Sequence, residues 1–363
     1  MSGVRVVISG GGTGGHLYPA LVLARTLRGM EPGIEILHVG SRRLAEQRIM
    51  AAQGVRFTAL PVEGLAGGGR QAVRGLALLP AAFLKSFRIL RGFKPGLAVG
   101  VGGFSSGPIV WLASHMGIPT MIMESNVKPG LTNRRLAGRA DKAAVAFEAT
   151  LASFPGNGIL LGNPVRPEFT ALPRKPRDGG LSVLVFGGSQ GSRILNQALA
   201  ASLPLLTGLA GRLWIVHQTG PDGLSAARRA YAESGFGEAV VEAYFEDMPA
   251  RFGAADLIVA RAGATTCAEL IASRRAALLV PFARAAEGHQ SANAEALRAA
   301  GGAEVIEERE LTPLRLAERL RWFLSHPEAL TAMEDRLAPL ARPDAARRIA
   351  ELCLDLMARG NKE

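Results

Sequence analysis

The chain has 363 residues, a length that suits two domains better than one small core. Its two cysteines, Cys267 and Cys353, exclude a disulfide framework and lack the spacing of a metal site. A net charge of +11 favours an anionic partner: nucleic acid, a phosphate-bearing substrate or an acidic membrane. Three tyrosines and three tryptophans, without a basic-aromatic repeat, argue against nucleic acid.

A glycine-rich turn lies between the first predicted strand and the first predicted helix. Residues 4–9 are a β-branched, apolar run typical of a buried strand, and a helical pattern covers residues 21–27. The glycines between them let a ligand approach the backbone, and the N–H groups at the helix start favour an anion such as phosphate. The spacing fits neither a dinucleotide fingerprint nor a P-loop. His16, at the end of this turn, is either a catalytic group or a structural cap.

Strands and helices alternate along the rest of the chain, which predicts parallel sheets. A second glycine turn follows a strand at 97–101, and a third follows a strand at 182–186. Residues 163–180 are rich in proline and charge and are interpreted as a linker. The prediction is therefore an N-terminal Rossmann-like domain at 1–163 and a second at 164–342. A last helix, at about 343–359, is expected to pack back on the first domain.

A basic and apolar segment extends from residue 70 to residue 94, within a longer stretch without Asp or Glu. It favours contact with an anionic bilayer, although a helix with a solvated basic face fits the same pattern. The predicted membrane-contact residues are Leu76, Leu79, Phe83, Phe87, Arg74, Lys85, Arg88 and Arg91. The uncharged stretch 95–123 is interrupted by glycines and prolines, so we expect no membrane-spanning helix there.

Two polar residues follow predicted strands at the edge where ligands bind in such sheets. Asn126 follows the strand at 120–123 and is either a hydrogen-bonding group or an ordinary turn residue. Glu269 lies in the helix after the strand at 257–260. It either accepts two ribose hydroxyls or stabilises the helix dipole.

Six motifs occur in order along the chain. They are GGTGGH (11–16), GGFSSGP (102–108), PGLTNR (129–134), GNPVR (162–166), GGSQGSRILN (187–196) and HQSANA (289–294). Together they resemble glycosyltransferase family 28, and within it the enzymes that add GlcNAc to lipid I. The resemblance implies the α/β GT-B fold, two Rossmann-like domains whose parallel sheets face each other across a cleft.

The resemblance also implies an inverting, metal-independent transfer from UDP-GlcNAc to the C4 hydroxyl of MurNAc, without a cofactor. His16 would be the catalytic base or an acceptor-positioning group. The implied UDP-GlcNAc-binding residues are Thr13, Gly14, Gly15, Asn126, Arg166, Ser189, Phe245, Ala264, Thr265, Thr266, Cys267, Ala268, Glu269 and Gln290. Among them, Arg166 and Ser189 would face the diphosphate, the Phe245 backbone would read uracil, and Gln290 would bind GlcNAc hydroxyls.

The implied partners are UDP-GlcNAc, undecaprenyl-pyrophosphoryl-MurNAc-pentapeptide and anionic membrane lipid, with no nucleic acid. The implied location is peripheral, on the cytoplasmic face of the bacterial cell membrane. Residues 273–289 depart from the family pattern, since Ser273 to Ala276 replace a Gly-x-Pro turn and 284–289 lack aspartate. The alternatives are another UDP-sugar transferase of this fold, a UDP-GlcNAc epimerase, or a non-catalytic binding protein.

Overall fold

The computed structural model describes residues 4–11, 14–63, 69–177 and 179–360. The chain separates into two units, and each has its own parallel sheet. Unit 1 comprises Met1–Val165 and Arg342–Glu363, and unit 2 comprises Arg166–Ala341.

Unit 1 is built on a parallel sheet with strand order β3-β2-β1-β4-β5-β6-β7. Its strands are β1 (Arg5–Ser9), β2 (Glu35–Gly40), β3 (Arg56–Ala59), β4 (Leu97–Gly100), β5 (Thr120–Glu124), β6 (Lys142–Val145) and β7 (Gly158–Leu160). The order reverses beside β1, so the loops after β1 and β4 share the edge where Rossmann-like sheets bind ligands. Val6, Val7 and Ile8 are fully buried because helices cover both faces of the sheet.

Five helices of unit 1 precede the second unit: α1 (Gly14–Met30), α2 (Leu44–Ala52), α3 (Gly69–Phe93), α4 (Ser106–His115) and α5 (Leu131–Leu136). Alternate residues of β1 face opposite layers. Val6 and Ile8 pack against Leu23 of α1, whereas Val7 shares a core with Leu90 of α3. None of the described helices combines the length and apolarity needed to cross a bilayer.

Unit 2 has a second parallel sheet with strand order β10-β9-β8-β11-β12-β13. Its strands are β8 (Leu181–Phe186), β9 (Leu213–Gln218), β10 (Val240–Glu242), β11 (Leu257–Ala260), β12 (Ala277–Leu279) and β13 (Ala303–Val305). Its helices are α6 (Pro167–Thr170), α7 (Arg193–Leu206), α8 (Leu224–Glu233), α9 (Met248–Ala254), α10 (Ala264–Ser273), α11 (His289–Ala299), α12 (Pro313–Ser325) and α13 (Pro327–Leu337).

The stretch interpreted as a linker is structured at its centre. It contains α6, and Lys175 and Arg177 form ion pairs with the buried carboxylate of Asp256, at 2.7 and 3.0 Å. Arg177 also contacts the buried Glu334 at 2.7 Å. The charges of this stretch therefore fasten it to unit 2 instead of keeping it in solvent.

The chain ends with α14 (Ala345–Gly360), which belongs to unit 1. Its apolar side packs against α1, where Ile349 and Cys353 are fully buried beside Leu23 and Leu27. This packing completes one face of the first sheet, since strand residues and both helices share one core.

Candidate functional site

The start of α10 is an anion-binding element of unit 2. Gly263 precedes the helix in an extended conformation, and no side chain among the described residues caps it. The first intrahelical bond runs from the Cys267 N–H to the Gly263 carbonyl, at 2.9 Å. The N–H groups of the first turn therefore lack helical partners and concentrate positive potential at the helix start. A phosphate is the ligand that such a helix end favours.

Thr265 adds a hydroxyl to this helix start. Its Oγ1 is buried and has no hydrogen-bond partner among the described residues. Ala264, Thr266 and Ala268 lie in the same two turns, and Cys267 points into the core, where burial raises the pKa of its thiol to about 12. The Cys267 side chain is therefore a packing residue, and its backbone N–H is used in the first hydrogen bond of the helix.

Glu269 and Arg166 lie together beside this helix start. The Arg166 guanidinium is 3.7 Å from the Glu269 carboxylate and 4.9 Å from the centre of the Phe169 ring. Burial raises the pKa of Glu269 to about 7, and Arg166 acts in the opposite sense. A site with one cation, one carboxylate and a helix N-terminus can hold a diphosphate next to a diol.

The third glycine turn connects β8 to α7. Gly188 and Gly191 have positive φ, 88° and 73°. A Cβ on Gly191 would lie 1.9 Å from the Thr219 carbonyl oxygen, so only glycine fits against that neighbouring turn. Ser189 is exposed at the tip of this turn, where it can reach a ligand.

Gln218 joins this turn to Phe245. At the end of β9, its side-chain amide donates to the Gly188 carbonyl at 3.1 Å and accepts from the Phe245 N–H at 2.8 Å. The Phe245 N–H is therefore occupied inside the protein. Any contact of its backbone with a base edge must use the carbonyl oxygen.

Gln290, at the start of α11, is fixed through its carbonyl oxygen. Gln290 Oε1 accepts from the Phe282 N–H at 2.9 Å, so the amide NH₂ is the end that can donate to a sugar hydroxyl. Asn293, one turn later, donates to the Ala262 carbonyl at 3.2 Å. It ties α11 to the turn that leads into α10.

A buried chain of hydrogen-bonded side chains, which sequence reasoning missed, supports the third glycine turn. The Tyr231 hydroxyl lies 3.2 Å from His217 Nδ1, and His217 Nε2 lies 3.1 Å from Asn196 Oδ1. Asn196 then donates to the Thr219 carbonyl at 2.8 Å, the same carbonyl that packs on Gly191. Burial lowers the pKa of His217 to about 4, so the ring is neutral and acts as a fixed connector.

Arg261 is a further buried group that sequence reasoning missed. It pairs with Glu308 at 2.7 Å, donates to Ser192 Oγ at 3.1 Å, and donates to the Val280 carbonyl at 3.1 Å. Ser192 caps α7 by accepting from the Leu195 N–H. Arg261 thus locks the β11–α10 turn to the third glycine turn.

In unit 1 the first two glycine turns touch. A Cβ on Gly102 would lie 2.7 Å from His16 Cδ2, and one on Gly103 would lie 2.3 Å from the Gly11 carbonyl oxygen. Glycines at 102 and 103, with φ of 94° and 80°, therefore let the β4 loop pack on the β1 loop and on the His16 ring. Thr13 lies outside the described residues. Gly14 and Gly15 form the first residues of α1.

His38, in the neighbouring strand β2, fixes the first glycine turn by a hydrogen bond to its backbone. Its Nε2 lies 2.9 Å from the Gly10 carbonyl, and burial lowers the pKa of His38 to about 4. The neutral ring donates one hydrogen bond to the turn. His16 is half-buried in the first turn of α1, directly after this glycine turn.

Asn126 is oriented by a carboxylate that was not among the predicted site residues. Glu124 Oε1 accepts from the Asn126 N–H and side-chain amide at 2.9 and 3.0 Å. Its Oε2 accepts from the Gly130 N–H and from Asn133 at 3.0 and 2.9 Å. Four donors thus converge on one buried carboxylate at the carboxyl end of β5. A polar residue at that end of a parallel strand indicates a candidate site residue, and this was the sequence feature that could have identified Glu124.

The predicted membrane-contact residues lie on α3 and differ in exposure. Leu76 is 56% exposed and Phe87 is 39% exposed, whereas Leu79 and Phe83 are half-buried. The Phe83 ring meets Trp111 of α4 edge-on at 5.3 Å, so it is partly used in packing. The four predicted cations Arg74, Lys85, Arg88 and Arg91 also lie on this helix, and Arg74 pairs with Glu63 at 3.2 Å.

The structure thus groups the predicted residues within each unit. Unit 2 brings together Arg166 and Glu269 directly, and it joins the backbones of the third glycine turn and Phe245 through Gln218. Unit 1 brings His16 against Gly102. In the described part of the chain no cluster of three or more metal-ligating side chains occurs.

Comparison with known proteins agrees with these two units. The glycosyltransferase family 28 N-terminal domain matches residues 6–145, and the C-terminal domain of that family matches residues 182–349. The UDP-N-acetylglucosamine–N-acetylmuramyl-(pentapeptide) pyrophosphoryl-undecaprenol N-acetylglucosamine transferase of Myxococcus xanthus is 43% identical, over 98% of this chain and 93% of its own. The protein of the same name from Syntrophus aciditrophicus is 41% identical, over 98% and 99%.

Solved structures extend the comparison. The crystal structure of Acinetobacter baumannii MurG superposes with a TM-score of 0.81 at 28% identity and covers 97% of this chain and 99% of its own. The UDP-GlcNAc 2-epimerase of Neisseria meningitidis has a TM-score of 0.68 at 14% identity, covering 97% and 99%, and shares the fold. The prediction of a GT-B fold made of two parallel-sheet domains is confirmed. This chain belongs to glycosyltransferase family 28.

Proposed function

We propose that this chain transfers GlcNAc from UDP-GlcNAc to the C4 hydroxyl of MurNAc in lipid I. The product is lipid II, with a new β-1,4 linkage, a step of peptidoglycan synthesis. The observation that carries the proposal is the uncapped start of α10 beside the Arg166–Glu269 pair, a site suited to a nucleoside diphosphate. The names of relatives more than 40% identical over 98% of the chain support the same substrates.

Unit 2 would bind the donor. The first-turn N–H groups of α10 and the Thr265 hydroxyl would bind the diphosphate with Arg166 and Ser189. Ionised Glu269 would accept hydrogen bonds from both ribose hydroxyls. The Gln290 amide would donate to a GlcNAc hydroxyl, and the Phe245 carbonyl would face uracil.

The reaction is a single inverting displacement. A bond forms between the C4 oxygen of MurNAc and the anomeric carbon, while the bond from that carbon to the phosphate oxygen breaks. The electron pair leaves on the β-phosphate of UDP, where the α10 amides and Arg166 would stabilise it. In this proposal the protein itself supplies the positive potential that a metal ion supplies elsewhere.

Unit 1 would bind the acceptor and accept its proton. His16 would take the proton of the attacking hydroxyl, since imidazole titrates near neutral pH. Its ring lies against Gly102, which holds it at the edge of the first glycine turn. Asn126, oriented by Glu124, would hydrogen-bond a sugar.

A transfer assay tests this proposal. Radiolabelled UDP-GlcNAc is incubated with a lipid I analogue, and the labelled lipid product is separated from the donor. We expect label in the lipid only when enzyme and acceptor are both present. Conversion of UDP-GlcNAc to an epimer without acceptor would instead assign the chain to the epimerase alternative, which shares the fold.

We also propose that the enzyme works as a peripheral protein on the cytoplasmic face of the bacterial cell membrane. Support comes from α3, which exposes Leu76 and Phe87 and also the cations Arg74, Arg88 and Arg91. Apolar side chains can enter the headgroup region while the cations attract anionic lipid.

Substitution of Leu76 by aspartate tests the membrane proposal. Loss of a leucine that enters the headgroup region on docking, and gain of a charge that anionic lipid repels, should weaken binding to phosphatidylglycerol vesicles by about tenfold or more. The matched control is Leu314→Asp on α12, because Leu314 is 55% exposed and Leu76 is 56% exposed. Equal sedimentation of both variants with the vesicles, at low and high salt, would refute the docking face.

A further inference from the structure

A cationic groove in unit 1 is left without a role by the reaction described above. It has a volume of about 530 Å³ and lies between α3 and the loops that follow β2 and β3. Its polar groups are Arg42, Lys85 and Arg88, and its apolar surface includes Pro61, Leu84 and Ile89. Three cations beside apolar side chains suit a ligand that carries phosphate at one end and hydrocarbon at the other.

The groove adjoins the first two glycine turns. A second cavity of about 360 Å³ shares Arg42 and Pro61 with it and is also lined by Gly11 and Ser105. Gly11 belongs to the turn that leads to His16, and Ser105 belongs to the loop after β4. A path therefore runs from the glycine turns, past Arg42, to the surface of α3.

The charge along this path is positive. Among the described residues that line the two cavities, Glu63 is the one acid, and it is paired with Arg74 at 3.2 Å. Arg42 lies where the two cavities meet, and Lys85 and Arg88 lie one turn apart on the same face of α3. Guanidinium groups bind phosphate oxygens through paired hydrogen bonds, so two adjacent phosphates match these side chains.

The order of groups along the path matches the order of groups in the acceptor. In lipid I the attacking C4 hydroxyl and the diphosphate on C1 lie at opposite ends of the MurNAc ring, and the prenyl chain follows the diphosphate. With the hydroxyl at the glycine turns, the diphosphate would come next and the hydrocarbon last. The path offers the two glycine turns first, then cations, then the apolar residues of α3.

We propose that this groove binds the diphosphate and the first isoprene units of the acceptor. Arg42, Lys85 and Arg88 hold the phosphates, and Leu84 and Ile89 contact the hydrocarbon. This inference rests on the proposed function. It adds the residues that would make the enzyme select MurNAc-pentapeptide linked to a prenyl diphosphate over the same sugar without that group.

The test uses the full-length enzyme with a farnesyl-diphospho-MurNAc-pentapeptide in solution, without vesicles, so that membrane docking has no part in it. The Arg42→Ala/Arg88→Ala variant should raise the KM for this acceptor about 10- to 100-fold, because two charged hydrogen-bonding groups are lost. The KM for UDP-GlcNAc should stay within about twofold, since the donor residues are untouched. Lysine at both positions should restore part of the acceptor affinity.

The matched control is Arg135→Ala/Arg139→Ala, which removes two exposed arginines from the same unit. Thermal unfolding of all variants checks that the fold is kept. An unchanged acceptor KM in the groove variant would overturn the proposal while transfer by the wild-type enzyme still upholds the proposed function. Absence of acceptor-dependent transfer by the wild-type enzyme would instead overturn the function.

Two further measurements separate the acceptor from other sources of phosphate. If the groove variant loses binding to phosphatidylglycerol vesicles but keeps its KM for the soluble acceptor, the groove is a headgroup site and the proposal fails.

Leu84→Gln tests the apolar half of the groove. It should reduce the difference in KM between the farnesyl acceptor and a dimethylallyl acceptor, because Leu84 contacts the hydrocarbon. An unchanged dependence on chain length would contradict the apolar half of the assignment.

Discussion

Replacement of His16 by alanine is expected to lower kcat by about 10²- to 10⁴-fold, the usual contribution of a general base. Affinity for UDP-GlcNAc should change little, because the residues proposed to contact its diphosphate, ribose and uracil all lie in unit 2. Steady-state kinetics with a lipid I analogue and direct titration with UDP-GlcNAc in the absence of acceptor measure the two effects separately.

His115→Ala is the matched control, since His115 is an exposed histidine of the same unit, on α4. It should retain the wild-type kcat. An unchanged kcat for His16→Ala would remove His16 from the mechanism. If kcat falls but the pH–rate profile of the wild-type enzyme has no limb near neutral pH, His16 positions the acceptor instead of accepting its proton.

Replacement of Glu269 by glutamine is expected to raise the Kd for UDP-GlcNAc about 10- to 100-fold, since one ribose hydroxyl loses its acceptor and the other is left with an uncharged one. Burial raises the pKa of Glu269 to about 7, so its carboxylate forms as the pH rises through that value. The protonated acid offers fewer acceptor sites to the ribose hydroxyls. Affinity of the wild-type enzyme should therefore increase from pH 6 to pH 8, about one unit on either side of this pKa.

Isothermal titration with UDP-GlcNAc across this range measures the effect. The donor suits the purpose because its diphosphate is a diester and does not titrate there. Glu269→Gln should flatten the pH dependence, whereas Glu168→Gln, at an exposed acid of the neighbouring α6, should keep it. A wild-type affinity that stays constant or falls with rising pH would contradict the role of Glu269.

The sequence supports prediction of the central strands because their residues are apolar on both faces. Val6 to Ile8 form such a run, and so do Val183 to Phe186, each followed by glycines. The strands β6, β7, β10 and β13 were not predicted. They have three or four residues, and sequences such as Lys142–Val145 or Ala303–Val305 owe their conformation to pairing with a neighbouring strand.

The first helix also differs from its prediction. The expected helix had Pro19 in its first turn, but α1 begins earlier, at Gly14, so Pro19 is its sixth residue. Proline removes one backbone donor, and near the start of a helix this loss falls close to the first turn, where the cost is small. The turn is therefore shorter than expected, and His16 lies on the helix itself.

Site residues were predicted where a short motif carries them, and missed where distant residues meet. Glu269 and Arg166 were each proposed, but their 3.7 Å approach joins positions that are 103 residues apart in sequence. Gln218 holds the third glycine turn and Phe245 through contacts across 30 and 27 positions of the sequence, whereas Glu124 orients Asn126, only two positions later. Both end a strand, so a polar residue at that position was the available signal.

The most direct test of the account is transfer of labelled GlcNAc from UDP-GlcNAc to a lipid I analogue in the presence of excess EDTA. If the α10 amides and Arg166 stabilise the departing UDP, the rate should equal the rate with magnesium, and the product should be the β-1,4-linked disaccharide lipid. Loss of transfer in EDTA and its recovery on addition of magnesium would contradict the account.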